Sequence, residues 1–219
     1  MNAHAGTSIA AATDYIAGEK RAADWAKDRL SVAVGGEPSA WRKLFEDYFL
    51  TRLNLRYLEP IGTLQNKGKL QGEGFSIVAI QCSLIEFLES TVQGITYKRK
   101  TRGVTLGQYE YFSSSEVFQT FLTTRAPFAA EFTDQALAED FYDGVRCALL
   151  HEARTRNGWR IRAKDPSGRG RIIDRPGKLI FRNSFQQALL TFISEYGEQL
   201  THDAQYQAAF IRKFDSLVA

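Results

Sequence analysis

The sequence predicts a mainly α-helical protein, and three features of the chain support that class. Apolar residues recur at helical spacing along most of its length. The stretch FSIVAIQCSLIEFLES at 75–90 is apolar almost throughout and contains no glycine or proline, so it predicts a buried central helix. Alternation of apolar and polar residues with a period of two, typical of strands, begins only after Asn157-Gly158. We therefore expect a single helical domain over residues 1–219.

The first part of the chain is expected to be helical. Residues 1–36 predict an N-terminal helical extension that stops at Gly35-Gly36. Pro38 then occupies the first turn of the next helix, a favoured position for proline, and Pro60 is predicted to end that helix. Between the two prolines lies an aromatic stripe expected to pack in the core: Trp41, Phe45, Tyr48 and Phe49.

The predicted bundle occupies residues 37–153 and 183–219. Ser113 and Glu116 form a possible capping box for a short helix that ends before Pro127. A longer helix, capped by Thr133 or Asp134, is expected over about 134–153. Two helices, about 183–196 and 203–217, are predicted to close the chain.

A basic β-hairpin is predicted near 158–182, inside a segment that spans 154–182. Trp159, Ile161 and Ala163 alternate with basic residues, DPSGRG forms a turn, and RIIDR returns. The sequence leaves open whether GKLIF adds a third strand.

The charge of the chain is strongly uneven. The net charge is only +3, but residues 154–182 contain ten basic and two acidic residues, whereas the remaining 190 carry 18 basic and 23 acidic ones. Eight of the ten are arginines, which match phosphate geometry and stack on bases. The pattern predicts RNA binding through Arg154, Arg156, Arg160, Arg162, Lys164, Arg169 and Arg171. The alternative is a hairpin kept soluble by its charge or paired with acidic groups of the same chain.

Several classes of protein are disfavoured. Cys82 and Cys147 form no CxxC pair and the three histidines lie far apart, so we expect no metal site and no cofactor. There is no P-loop, GxSxG, HExxH or GxGxxG motif. The N-terminus does not resemble a signal peptide and no segment suits a membrane span, which favours a cytoplasmic protein without membrane contact.

The helix at 134–153 carries the main candidate site. With Val145 at 0° and about 100° per residue, Arg146 lies at about +100° and His151 at about −120°. The face between them, opposite the apolar stripe, holds Asp143, Cys147 and Leu150. Cysteine and leucine are unusual on a solvent face, so we expect this face to be covered, most economically by the same helix of a second copy. A homodimer would let Arg146 of one copy approach His151 of the other.

The segment FYDGVRCALLHEA, placed after a buried helix with SLIEFLES, resembles the HEPN superfamily (higher eukaryotes and prokaryotes nucleotide-binding). That family has a four-helix up-and-down bundle and an Arg-x4–6-His motif on a late helix, and Arg146 and His151 fit it as Arg-x4-His. The resemblance implies a homodimer with both motifs in one cleft. It also implies metal-independent endoribonuclease activity of the toxin–antitoxin or phage-defence type.

In that interpretation His151 is a general base or acid toward an RNA 2′-hydroxyl, and Arg146 holds the reacting phosphate. Glu86 lies on the polar stripe of the buried helix. If its side chain faces Arg146, it would orient that guanidinium. Asp143 is a second supporting candidate. For Glu86 and Glu89 the simpler interpretation is an ion pair with a neighbouring helix.

Whether the chain is an enzyme stays open at this point. Active HEPN members often carry a polar residue directly after the arginine, whereas this chain has Cys147. A non-catalytic RNA- or nucleotide-binding module therefore fits the same residues. So does an effector held through its basic face by an acidic antitoxin or a nucleotidyltransferase-like partner.

Overall fold

The computed structural model describes residues 15–67 and 72–219, and this part of the protein is 62% helical with seven helices and small sheets. The predicted mainly α class is therefore confirmed. The described residues divide into two compact units. The first comprises residues 15–59, Ser90–Phe112 and Tyr196–Ala219, and the second comprises residues 60–67, 72–89 and Ser113–Glu195.

The first unit begins with a small antiparallel hairpin, β1 (Tyr15–Ala17) and β2 (Lys20–Arg21), followed by α1 (Ala22–Asp28). The prediction of a helical extension over 1–36 is wrong for residues 15–21, and residues 1–14 lie outside the described residues. Gly18 adopts a left-handed conformation with φ +55°, which reverses the chain and delays the helix until after Arg21.

Helix α2 extends without a break over residues 38–67, so the prediction that Pro60 ends it is wrong. It contains two wider π-helical turns, Phe45–Leu50 and Asn54–Leu58. In the second turn the amide of Glu59 donates to the carbonyl of Asn54, five residues back. Because a proline has no N–H and its ring crowds the preceding turn, this widened turn directly before Pro60 lets the helix continue.

The core of the first unit is aromatic, and the predicted stripe on α2 lies in it. Trp41, Tyr48 and Phe49 are fully buried. Trp25 of α1 lies with its ring centroid 5.1 Å from that of Tyr48. The centroid of Phe214, on α7 (Ala204–Ser216), lies 5.2 Å from that of Trp25. The unit also contains two short parallel strands, β3 (Thr96–Tyr97) and β4 (Glu110–Tyr111).

Helix α3 (Glu73–Gln93) is the predicted apolar helix. By length and composition it is the one helix in the described ranges that could cross a membrane, but 61% of the apolar window is buried inside the protein, as is typical of a core helix. Glu89 of α3 is fully buried and accepts two hydrogen bonds of 2.8 Å from the guanidinium of Arg125. The expected ion pair between α3 and a neighbouring element is therefore present.

The remaining helices of the second unit follow the predicted order. Helix α4 (Ser114–Thr124) is capped by Ser113, whose hydroxyl accepts from the amide of Glu116. Helix α5 covers residues 135–152 and α6 covers Arg182–Leu200. Buried aromatic rings fill the space between them, including Phe118, Phe121, Phe128, Phe141 and Phe185.

The basic segment forms a three-stranded sheet, not the predicted hairpin. The strand order is β5 (Arg160–Arg162), β7 (Leu179–Phe181), β6 (Ile173–Asp174), so β5 does not pair with β6. β5 runs parallel to β7 and β6 antiparallel to it. The GKLIF stretch supplies the central strand because Ile180 and Phe181 are fully buried, whereas the residues of β5 are mostly exposed.

Candidate active site and RNA interface

The helix that carries the Arg-x4-His pair is fixed at both ends. Asp134 caps α5, because its carboxylate accepts from the amide of Leu137 at 2.8 Å. At the other end Ala153 adopts a left-handed conformation with φ 53°, which stops the helix. The middle of α5 is a π-helical turn, Tyr142–Cys147, and Arg146 lies within it. π-Turns are frequent at functional sites.

The predicted core stripe of α5 is buried and the opposite face is not. Phe141, Val145, Ala148 and Leu149 are buried, and Leu137 is half-buried. On the other face Asp143 is exposed, Cys147 is half-buried and Leu150 is 49% exposed. Leu150 is therefore an exposed apolar side chain on the face between Arg146 and His151, where the sequence predicted one.

Arg146 is held by residues from two helices. Its Nη2 donates to Oε2 of Glu86 on α3 at 3.3 Å, and its guanidinium lies 5.3 Å from the ring centroid of Tyr142. Glu86 accepts a second hydrogen bond of 2.7 Å from the hydroxyl of Ser114. Burial raises the pKa of Tyr142 and the charge of Arg146 opposes that rise. The predicted contact between Glu86 and Arg146 is therefore present, and the guanidinium has a defined orientation.

His151 lies apart from Arg146 in the single chain. It is exposed, and within the described residues it has no hydrogen-bond or ion-pair partner. Five residues along a helix place the two side chains about 140° apart around its axis. Asp143 is also exposed without a contact to either residue in the part of the chain that the structure describes. One copy thus presents an oriented arginine and an exposed histidine on different sides of α5.

The seven predicted RNA-binding residues fall into two groups. Arg154 and Arg156 pair with Glu152, Arg171 pairs with Asp165 and Asp174, and Arg160 donates to the carbonyl of Gly177. Arg162, Lys164 and Arg169 are exposed and, among the described residues, have no carboxylate within ion-pair distance. These last three form what we call the free basic group, and they have their full charge available for phosphate.

Two carboxylates hold the basic segment in place. The sequence did not indicate a structural role for either of them. The carboxylate of Glu131 accepts from the amides of Ile172 and Ile173 at 2.8 to 2.9 Å. Asp140 of α5 accepts from Nε1 of Trp159 and from Nζ of Lys178, each at 2.9 Å. These contacts join residues 19 to 42 positions apart, so no local pattern could have indicated them.

The Asp140 cluster predicts a pH-dependent contribution to stability. Burial alone would raise the pKa of Asp140, but the hydrogen bonds from Lys178, Asn157 and Trp159 outweigh it and hold the pKa below its ordinary value. A depressed carboxyl pKa stabilises the fold above the unfolded pKa of about 4, and this stabilisation is lost as the pH falls through the folded value. We expect the difference in free energy of unfolding between wild type and Asp140→Asn to shrink as the pH is lowered from 6 to about 3.

Urea denaturation across that pH range measures the difference. Asp143→Asn is the control, because Asp143 lies on the same helix and has no such contacts among the described residues. A difference for Asp140→Asn that stays constant with pH would contradict the assigned role.

Gly144 provides a packing test of the π-turn. A Cβ there would lie 2.8 Å from Cδ1 of Trp159 and 3.2 Å from the carbonyl oxygen of Arg156. We expect Gly144→Ala to lower the free energy of unfolding by about 1–3 kcal/mol, because both neighbours are fixed. Gly62→Ala, in α2 with nothing within 4 Å, should instead raise it by about 0.5–1 kcal/mol. Thermal or chemical denaturation of both variants checks the opposite signs.

No group of three or more His, Cys, Asp and Glu side chains that could hold a metal ion occurs in the described ranges.

The chain matches no protein-family model, no curated protein and no solved structure.

Proposed function

We propose that the protein is a HEPN-like, metal-independent endoribonuclease whose cleft is completed by a second copy. The observation that carries the proposal is the oriented Arg146, held by Glu86 on the face of α5 that also bears an exposed leucine. The mainly helical fold is compatible with the bundle expected of that family. The resemblance of FYDGVRCALLHEA to the Arg-x4-His motif supports the assignment.

The geometry of a single chain supports a homodimer. Arg146 and His151 lie on different sides of α5, so one α5 helix does not bring them to one phosphate. A two-fold axis beside Leu150 would bury that exposed side chain and present Arg146 of one copy to His151 of the other. Such an isologous contact gives two equivalent Arg/His pairs in one cleft.

The proposed reaction needs only groups that the chain supplies. His151 accepts the proton of the RNA 2′-hydroxyl while the 2′-oxygen forms a bond to the adjacent phosphorus. The bond from phosphorus to the 5′-oxygen of the next nucleotide breaks, and that oxygen takes the proton that the same His151 received. Arg146 stabilises the charge that develops on the phosphate oxygens. The products carry a 2′,3′-cyclic phosphate and a 5′-hydroxyl.

The free basic group supports RNA as the substrate. Among the described residues, Arg162, Lys164 and Arg169 have no carboxylate partner, whereas Arg154, Arg156 and Arg171 are paired with carboxylates and Arg160 donates to a backbone carbonyl. Phosphate contacts of this kind release counterions, so RNA binding should weaken steeply with salt. We place the protein in the cytoplasm as a toxin or phage-defence nuclease, held in check by an acidic antitoxin or a nucleotidyltransferase-like partner.

A non-catalytic RNA- or nucleotide-binding role is the second candidate. It is favoured by one specific observation, the ion pair that already neutralises Arg146 with Glu86, together with Cys147 in the next position. In that case RNA binding would be salt-sensitive and unaffected by His151→Ala.

The test is the cleavage of a labelled RNA by protein treated with a chelator, with analysis of the new ends. We expect cleavage without added metal and fragments that end in 2′,3′-cyclic phosphate. Binding without cleavage would favour the second candidate, and cleavage that requires Mg²⁺ would contradict the proposed mechanism. Recovery of a bound acidic protein together with the chain would support the antitoxin-held state.

A further inference from the structure

A second site candidate lies in the second unit, in a cavity of about 600 Å³. Its walls are the first turns of α6, the segment around Pro127 and Glu131, and the loop that carries Lys164 and Gly170. The volume falls within the range of about 300–1,000 Å³ that is usual for small-molecule sites. Neither Arg146 nor His151 lines it, so it is distinct from the proposed catalytic residues.

One face of α6 supplies the polar groups of the cavity. Ser184, Gln187, Ala188 and Thr191 are spaced at i, i+3, i+4 and i+7, which aligns them on one side of the helix. Ala188 is buried and forms part of the floor, whereas the two hydroxyls are half-buried. Within the described residues, Ser184, Gln187 and Thr191 make no side-chain hydrogen bond to the protein. Three side chains with donors and acceptors therefore face the cavity without a protein partner.

One carboxylate and one ammonium group line the cavity. Glu131 lines it, but its carboxylate already accepts hydrogen bonds from the amides of Ile172 and Ile173. Lys164 lines it without a carboxylate partner in the described part of the chain, and Arg169 directly precedes the lining Gly170. A negative group of a ligand could therefore pair with the ammonium of Lys164, whereas the oxygens of Glu131 are engaged by the two amides.

We propose that the cavity binds one nucleotide. The apolar surfaces of Pro127 and Ile172 suit the faces of a base, and the amide of Gln187 offers both a donor and an acceptor to the edge of that base. Lys164 binds the phosphate, and Arg169, next to the lining Gly170, extends the positive surface beyond the cavity. The nucleotide is either free or one unstacked residue of an RNA chain. The second source rests on the proposed ribonuclease function and would give it a base preference.

Binding to the full-length protein tests this inference without cleavage. Isothermal titration with AMP, GMP, CMP and UMP gives the affinity for free nucleotides, and fluorescence anisotropy with labelled 2′-fluoro pentanucleotides, which cannot be cleaved through a 2′-hydroxyl, gives that for RNA-like chains. We expect at least one probe to bind, affinity to differ among the bases, and Lys164→Gln and Gln187→Leu each to weaken binding about tenfold. Both side chains are exposed, so the variants should fold.

Lys100→Gln and Gln199→Leu are matched controls, because both residues are exposed and lie outside the cavity. Binding of the mononucleotides alone would identify a free nucleotide as the ligand, and binding of the pentanucleotides alone would identify RNA. Absence of binding by every probe, or equal binding by wild type and both cavity variants, would overturn the inference. If His151→Ala binds nucleotides as wild type does and wild type cleaves no RNA, the ribonuclease proposal fails while the nucleotide site stands.

Discussion

We expect His151→Ala and Arg146→Ala each to lower the rate of RNA cleavage by about 10²–10⁴-fold. For His151 the loss reflects proton transfer from the 2′-hydroxyl, which a positioned acid–base group accelerates by about that factor. For Arg146 it reflects the loss of a positioned cation at the charge that develops on phosphate. Single-turnover cleavage of a labelled RNA by chelator-treated protein measures both variants.

The chain offers matched controls for these substitutions. His202→Ala removes an exposed histidine, and Arg102→Ala removes an exposed arginine, both outside α5. We expect the rates of these controls to equal that of wild type. Glu86→Gln should give a smaller loss than Arg146→Ala, because the guanidinium remains but its orienting carboxylate is gone. Equal activity of wild type, His151→Ala and Arg146→Ala would remove both residues from the mechanism.

The second large effect concerns stability. Arg125→Ala should lower the free energy of unfolding by about 3–5 kcal/mol, because it takes two hydrogen bonds away from a buried carboxylate. Glu89 has no exposed surface, and the guanidinium of Arg125 contacts both of its oxygens at 2.8 Å. The double variant Glu89→Met/Arg125→Met should recover part of the loss, since it leaves no buried charge.

Urea denaturation monitored by the tryptophan signal measures this prediction. Arg42→Ala is the control, because Arg42 forms a similar two-point pair with Glu198 in an exposed position, where an ion pair contributes little. A loss for Arg125→Ala no larger than that for Arg42→Ala would show that burial of Glu89 does not determine the effect.

Local patterns in the sequence predicted much of the helical structure. The apolar run at 75–90 and the caps at Ser113 and Asp134 are visible in neighbouring residues, and the structure confirms them. The contact between Glu86 and Arg146 was one of the possibilities that the sequence left open, because Glu86 lies on a narrow polar stripe of an otherwise apolar helix.

The sequence failed where distant contacts decide the structure. Pro60 was expected to stop a helix. Nothing clear in the sequence marks the π-turn before it, which lets the helix continue. Strand β7 lies at the centre of the sheet because its side chains are buried against other elements. The alternation of residue types alone does not reveal this burial. The pairs of arginines with Glu152 and Asp165 are, by contrast, local contacts between residues two to six positions apart, and they separate the free basic group from its neighbours.

The central claim is that Arg146 of one copy and His151 of another form one cleft, and co-expression of two differently tagged variants tests it most directly. Arg146→Ala and His151→Ala homodimers should each be nearly inactive. In purified mixed dimers, Arg146 of one copy and His151 of the other still form one of the two pairs. We therefore expect these dimers to recover about half of the wild-type rate of RNA cleavage. Mixed dimers that cleave no faster than either parent would contradict the account.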